Sequence, residues 1–71
     1  NPFDNETTIS FDNPTNSTFT LNLMDVTGRM VLQKTNITGN KYIFNREGLN
    51  AGYYMIELRG EKLYRGRIII N

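Results

Sequence analysis

The sequence predicts an all-β fold, a two-sheet sandwich of six or seven short strands, and three observations carry that prediction. Apolar residues alternate with polar ones at period two in several stretches, the pattern of a strand with one face inward and one in water. Glycine-containing turn signals punctuate the chain every 8–12 residues, a spacing that suits sandwiches and small barrels. No stretch carries an apolar stripe at helical period. Of the all-β options the sandwich fits best, because two small inner faces can seal one thin core.

In chain order, strands are expected over 7–12, 18–25, 29–35, 41–45, 52–59 and 62–70. Ile9 and Phe11 alternate with Thr8, Ser10 and Asp12 in the first. Phe19, Leu21 and Leu23 oppose Thr18, Thr20 and Asn22 in the second. The segment "DVTGR" then sets Asp25 and Gly28 where a type I turn followed by a glycine bulge needs them. "TGNK" puts Gly39-Asn40 between Ile37 and Tyr42, a short hairpin signal. "NREGLNAG", with Gly48 and Gly52, is long enough for a crossover between sheets. Beyond it Tyr54, Ile56 and Leu58 share a face opposite Tyr53, Met55 and Glu57, and "RGEK" offers Gly60-Glu61 as a two-residue type II′ loop.

At 71 residues the chain is one domain or a piece of one. A domain of this size buries only about 60% of the surface its unfolded chain exposes. There is no cysteine to staple it, so it is either intracellular or exported by a route that does not rely on disulfides. No apolar run approaches a membrane span and no leader is visible, so no membrane insertion is expected. The polar opening "NPFDNETT" reads as cut from something longer, and Asn71 as a natural end. The net charge of +1 hides an asymmetry: Asp4, Glu6, Asp12 and Asp25 are the only charges in residues 1–28, while all eight basic residues lie in 29–71. Facing strands can pair such charges, or the basic part can meet an acidic partner. The basic residues are interspersed with acids and carry no RNA-reading motif, which argues against nucleic acid.

Candidate chemistry is sparse. Without His or Cys the usual general base, thiol nucleophile and soft-metal ligands are missing, and no enzyme and no cofactor is expected. "FDNETT" and "FDNPTN" form a near-repeat rich in oxygen ligands, yet neither has calcium-loop spacing, and Asp and Asn start turns on their own account. No metal is expected. Three Asn-x-Thr sequons, at Asn5, Asn16 and Asn36, are within chance for so Asn- and Thr-rich a chain. Tyr42, Tyr53, Tyr54 and Tyr64 could stack sugars only from one shared face, and alternation sends Tyr54 inward and Tyr53 outward. The tail "LYRGRIIIN" is the least ordinary stretch: Arg65 and Arg67 flank an aggregation-prone strand as gatekeepers, and such a strand is a handle for a partner reading an edge or a C-terminus.

Taken together, Asn1-Pro2-Phe3 with "ETTISF", then "LNLMDVTGRMV", "GLNAGYYMIEL" and a closing "RGRIIIN" resemble the type A C-terminal sorting domains of the type IX secretion system of Bacteroidota. Each piece alone is common; the four in this order span the whole chain. Asp25, Gly28 and Arg29 match the family's central structural turn, and Gly52 and Tyr54 its Gly-x-Tyr. Arg67 stands where the family often has lysine, which keeps the charge and changes the donor geometry.

The resemblance implies a small Ig-like antiparallel β-sandwich, covalently linked behind an N-terminal passenger and filling residues 1–71. It implies a secretion signal that the type IX translocon and its shuttle proteins recognise as the passenger crosses from periplasm to cell surface or medium. A sortase-like peptidase typically removes such a domain, and the passenger is anchored to lipopolysaccharide or released. The expected determinants are Gly52, Tyr54, Lys62, Arg65, Arg67, Ile68, Ile69 and Ile70. The competing reading is an accessory carbohydrate-binding or Ig-like spacer module of a secreted enzyme.

Overall fold

Phe19, Leu21 and Leu23 leave water almost completely, and that burial sets the first long strand. The computed structural model describes residues 2–71. The N-P-F opening therefore begins at Asn1, outside the described residues. Seven strands run in order: β1 (Pro2–Phe3), β2 (Glu6–Ser10), β3 (Phe19–Met24), β4 (Met30–Ile37), β5 (Lys41–Asn45), β6 (Gly52–Arg59) and β7 (Leu63–Ile70). Each of the six expected strands appears within two residues of its expected bounds.

The strands form a five-stranded sheet, β1-β7-β6-β3-β4, facing a two-stranded sheet, β2-β5. Their inner faces enclose one core, with Phe44 from the small sheet fully buried against the larger one. Phe44 meets Phe3 edge-on with ring centroids 6.0 Å apart. At the other end Phe11 packs on Phe19 at 5.2 Å, and Tyr64 closes on Phe19 at 5.9 Å. Such pairings add to the stabilisation from area burial alone.

Three local expectations are corrected. The sheet is not wholly antiparallel: β1, too short to show alternation, pairs parallel with β7, setting Pro2 opposite Ile69 and Phe3 opposite Ile70. "TGNK" is not a hairpin, since β4 and β5 lie in different sheets and residues 38–40 cross between them. Gly39 there has φ 77°, and the 11–17 loop holds the corner: Phe11 N–H donates to Asn40 O, Asn13 Nδ2 to Gly39 O, and Gly39 N–H to Asn16 Oδ1. "RGEK" is not a two-residue type II′ loop either. Arg59 pairs with Leu63 across three residues, and Gly60 is not among the glycines with positive φ. Glycine is needed there for space: a Cβ would lie 2.8 Å from Phe19 Cδ2 and 2.9 Å from the Thr18 carbonyl oxygen.

"NREGLNAG" does cross between sheets, from β5 to β6. β4 carries two register shifts against β3; Asn36, at φ 60°, supplies the extra residue of one. Lys34, in regular register opposite Leu21, lies on the inner side of this edge strand and bonds Glu47 Oε1 at 3.0 Å, and the bulge beyond it brings Ile37 back inward opposite Phe19. An inward-leaning lysine is a known guard against edge-to-edge aggregation.

Candidate recognition surface

The β6–β7 hairpin and its entry corner hold every expected determinant. Leu49 N–H donates to Arg46 O to close a turn in the crossover, with Glu47 at φ 53° and Gly48 at φ 77°. Gly52 then opens β6 at φ 145°, a conformation glycine adopts freely and side chains resist. A Cβ on Gly52 would touch nothing within 4 Å, so backbone conformation rather than space demands glycine. Two residues on, Tyr54 turns inward, 8% exposed, and its hydroxyl donates to Asn50 O at 2.7 Å. A tyrosine reaching back to upstream backbone where a strand enters the sheet is a corner device of Ig-type sandwiches. Tyr53 points the opposite way and is 60% exposed.

Along β7 the alternation splits the determinants. Ile68 and Ile70 are buried in the core, whereas Ile69 faces outward, half-buried, opposite Tyr53. Arg65 and Arg67 are exposed on that outer face, and Lys62 is exposed in the preceding turn. Arg65 Nε reaches Glu57 Oε2 at 3.4 Å. Among the described residues, Arg67 and Lys62 have no carboxylate at salt-bridge distance. Thus Lys62, Arg65, Arg67 and Ile69 are presented to solvent, and Gly52, Tyr54, Ile68 and Ile70 build the surface from beneath.

Alternation put Asn22 and Glu57 on a watery face, yet both are buried. They stand side by side on β3 and β6 and make a satisfied network: Gln33 Nε2 donates to Asn22 Oδ1 at 2.8 Å, and Arg59 Nε to Glu57 Oε1 at 2.6 Å. The Arg59 guanidinium, with help from Asn22 and Arg65, holds the Glu57 carboxyl below its ordinary range against the opposing effect of burial. No buried side-chain polar atom among the described residues lacks a partner.

The turn at Asp25, Gly28 and Arg29 has the expected form. Gly28 N–H donates to Asp25 O, Asp25 N–H to Arg29 O, and Gly28 takes φ 89°. Asp25 Oδ1 gathers the Thr27 hydroxyl at 2.6 Å and the amides of Thr27 and Arg29. The Thr27 hydroxyl first, then those amides, lower the Asp25 pKa. At the opposite end Glu61 accepts from the hydroxyls of Ser17 and Thr15, tying the β6–β7 turn to the 11–17 loop and lowering its own pKa.

Sequence reasoning missed Arg46. Its Nε donates to Leu49 O at 2.9 Å, and its Nη1 to Asp4 O at 3.1 Å and Asn71 O at 2.8 Å. One guanidinium therefore clasps the crossover, the segment after β1 and the residue after β7, while Asn71 N–H bonds Phe3 O. All of these acceptors are main-chain oxygens, which leave no signature in the sequence. The "FDNPTN" stretch is likewise structural, with Asn13 Nδ2 bonding Ser17 O and Asn13 Oδ1 taking the Ser17 amide. No group of three metal-ligating side chains gathers among the described residues. No helix among the described residues is long and apolar enough to cross a membrane.

The described residues thus form a two-sheet β-domain whose last hairpin is pinned from beneath and exposes basic residues above. A family model described as secretion system C-terminal sorting domain matches residues 1–71, the whole chain, and the chain belongs to that family, the sorting domains of type IX secretion. Its members are sorting signals rather than enzymes. No curated protein and no solved structure matches the chain.

Proposed function

We propose that this domain is the export address of a passenger joined to its N-terminal side, read by the type IX translocon and its shuttle proteins and then removed by a sortase-like peptidase. The passenger finishes at the cell surface or in the medium. The observation that carries the reading is the family match over residues 1–71. The hairpin supports it: Lys62, Arg65, Arg67 and Ile69 face solvent for a partner to read. Gly52, Tyr54, Ile68 and Ile70 act through the corner and core that fix their position. β1 covers β7 only at Ile69 and Ile70, which leaves the rest of that strand's outer edge open among the described residues. Strand edges of this kind are read by main-chain pairing.

Against the carbohydrate-binding alternative, Tyr53 lies on the large sheet and the half-buried Tyr42 on the small one, so the two offer no shared stacking platform. The export reading is tested by fusing residues 1–71 behind a periplasm-directed reporter in a type IX-competent host. The reporter should reach the surface or medium, and should stop doing so when residues 68–71 are deleted. Retention in the periplasm, or export that survives the deletion, overturns the proposal.

A further inference from the structure

The larger sheet carries an apolar face where water should be. All three methionines stand in one row across it: Met30 opposite Met24, Met24 opposite Met55, and Met55 opposite Arg67. The neighbouring row sets Tyr53 opposite Ile69. Among the described residues, four of the six exposed large apolar side chains, Val26, Met30, Tyr53 and Met55, lie on these rows or in the β3–β4 turn at their end, whereas Leu63 stands apart beyond the polar row Gln33, Asn22, Glu57 and Arg65. The sixth, Ile43, is on the outer face of the small sheet. Exposed faces of antiparallel sheets are normally polar, and a contiguous apolar patch marks an interaction site.

The border of this patch is basic. Arg65 and Arg67 flank the methionine row, and the carboxylates beside it are already engaged: Glu57, 8% exposed, by Arg59 and Arg65, and Asp25, next to Val26, by Arg29. Methionine adapts to varied partner shapes, and Met, Tyr and Arg are enriched at protein interfaces. Two copies of the face would oppose like charges. We infer that this face docks a protein surface presenting an apolar patch bordered by Asp and Glu carboxylates, and that the partner belongs to the export machinery. The partner's identity rests on the export reading; the docking face rests on the row and its charge.

The test uses the same reporter fusion, with Met55→Glu and Arg67→Glu on the face and Ile43→Glu on the opposite sheet as control. Met55→Glu and Arg67→Glu should each cut export by roughly tenfold or more, the effect of losing a central interface contact. Ile43→Glu should export as the parent does. Thermal melts of the purified chains separate a docking defect from an unfolded domain. Met30→Ser, on the same face two strands away, takes over should Met55→Glu melt early. Export of every face variant at the parental level overturns the docking face and leaves the export reading intact, whereas a parent that stays periplasmic overturns the export reading. Two further results overturn the assigned partner: a concentration-dependent dimer by light scattering that Met55→Glu dissolves, or flotation with phosphatidylglycerol vesicles that Arg67→Glu abolishes.

Discussion

Gly60→Ala isolates a single steric contact. The added methyl would stand 2.8 Å from Phe19 Cδ2, 2.9 Å from Phe19 Cε2 and 2.9 Å from Thr18 O. The Phe19 ring is 1% exposed and held between Phe11 and Tyr64, so it has no free volume to retreat into. Moving the Thr18 carbonyl would drag the start of β3. Gly60 has no left-handed φ, so backbone strain adds nothing and the effect is overpacking alone. Overpacking of this kind costs about 1–3 kcal/mol. In a domain of this size each kcal/mol moves Tm by roughly 4–8 °C, so the variant should melt about 8–16 °C lower at the middle of that range. Circular dichroism melts of the parent and variant measure it. Gly66→Ala is the control: its methyl would meet Ile56 Cγ2 at 3.5 Å, an ordinary contact, and should leave Tm unchanged or slightly raised. Equal melting of the parent and Gly60→Ala, or equal losses in the two variants, would refute the reasoning.

Other outcomes follow from the same geometry. Tyr54→Phe keeps the ring in the core and removes the bond to Asn50 O, for a loss of about 1 kcal/mol in denaturant titration. Gly52→Ala forces a side chain to φ 145° and should destabilise by about 1–3 kcal/mol, with no gain from repacking because the space is open. Asp25, Glu57 and Glu61 have lowered pKa values, so each contributes stability that is fully present above its ordinary value, 3.8 for Asp25 and 4.5 for the glutamates. That contribution is lost as pH falls through the lowered folded values, and Tm should therefore decline below about pH 4.5. Glu57→Gln should make the acid decline shallower; an identical acid limb would remove Glu57 from the account. Arg46→Gln should speed amide exchange at Asn71 by loosening the clasp between the ends, and unchanged exchange would show that the clasp is ornamental.

The periodic elements were legible because their cause is local. A strand with one wet face must alternate, so β3 and β6 could be placed from Phe19, Leu21 and Leu23 and from Tyr54, Ile56 and Leu58. Asp25 and Gly28 signalled their turn because side chain and backbone act there within five residues. "TGNK" misled for the complementary reason: a glycine at φ 77° serves a crossover as well as a hairpin, and the choice fell to contacts with the distant 11–17 loop. Gly60 misled in the same way, since its neighbour in space, Phe19, lies far away in sequence. Of the recognition surface, the basic residues and the inward Tyr54 were legible, but the burial of Glu57 and the clasp of Arg46 were not.

By itself the sequence determined the all-β class, the positions of every strand but β1, the inward and outward sense of Tyr54 and Tyr53, and the family. These depend on period, turn chemistry and residue order, all readable along one dimension. Only the tertiary structure decided which strands pair, that β1 lies parallel on β7, and that Met30, Met24, Met55 and Arg67 form one row. Those outcomes depend on register between segments far apart in the chain, and one residue of slip would turn each side chain to the other face.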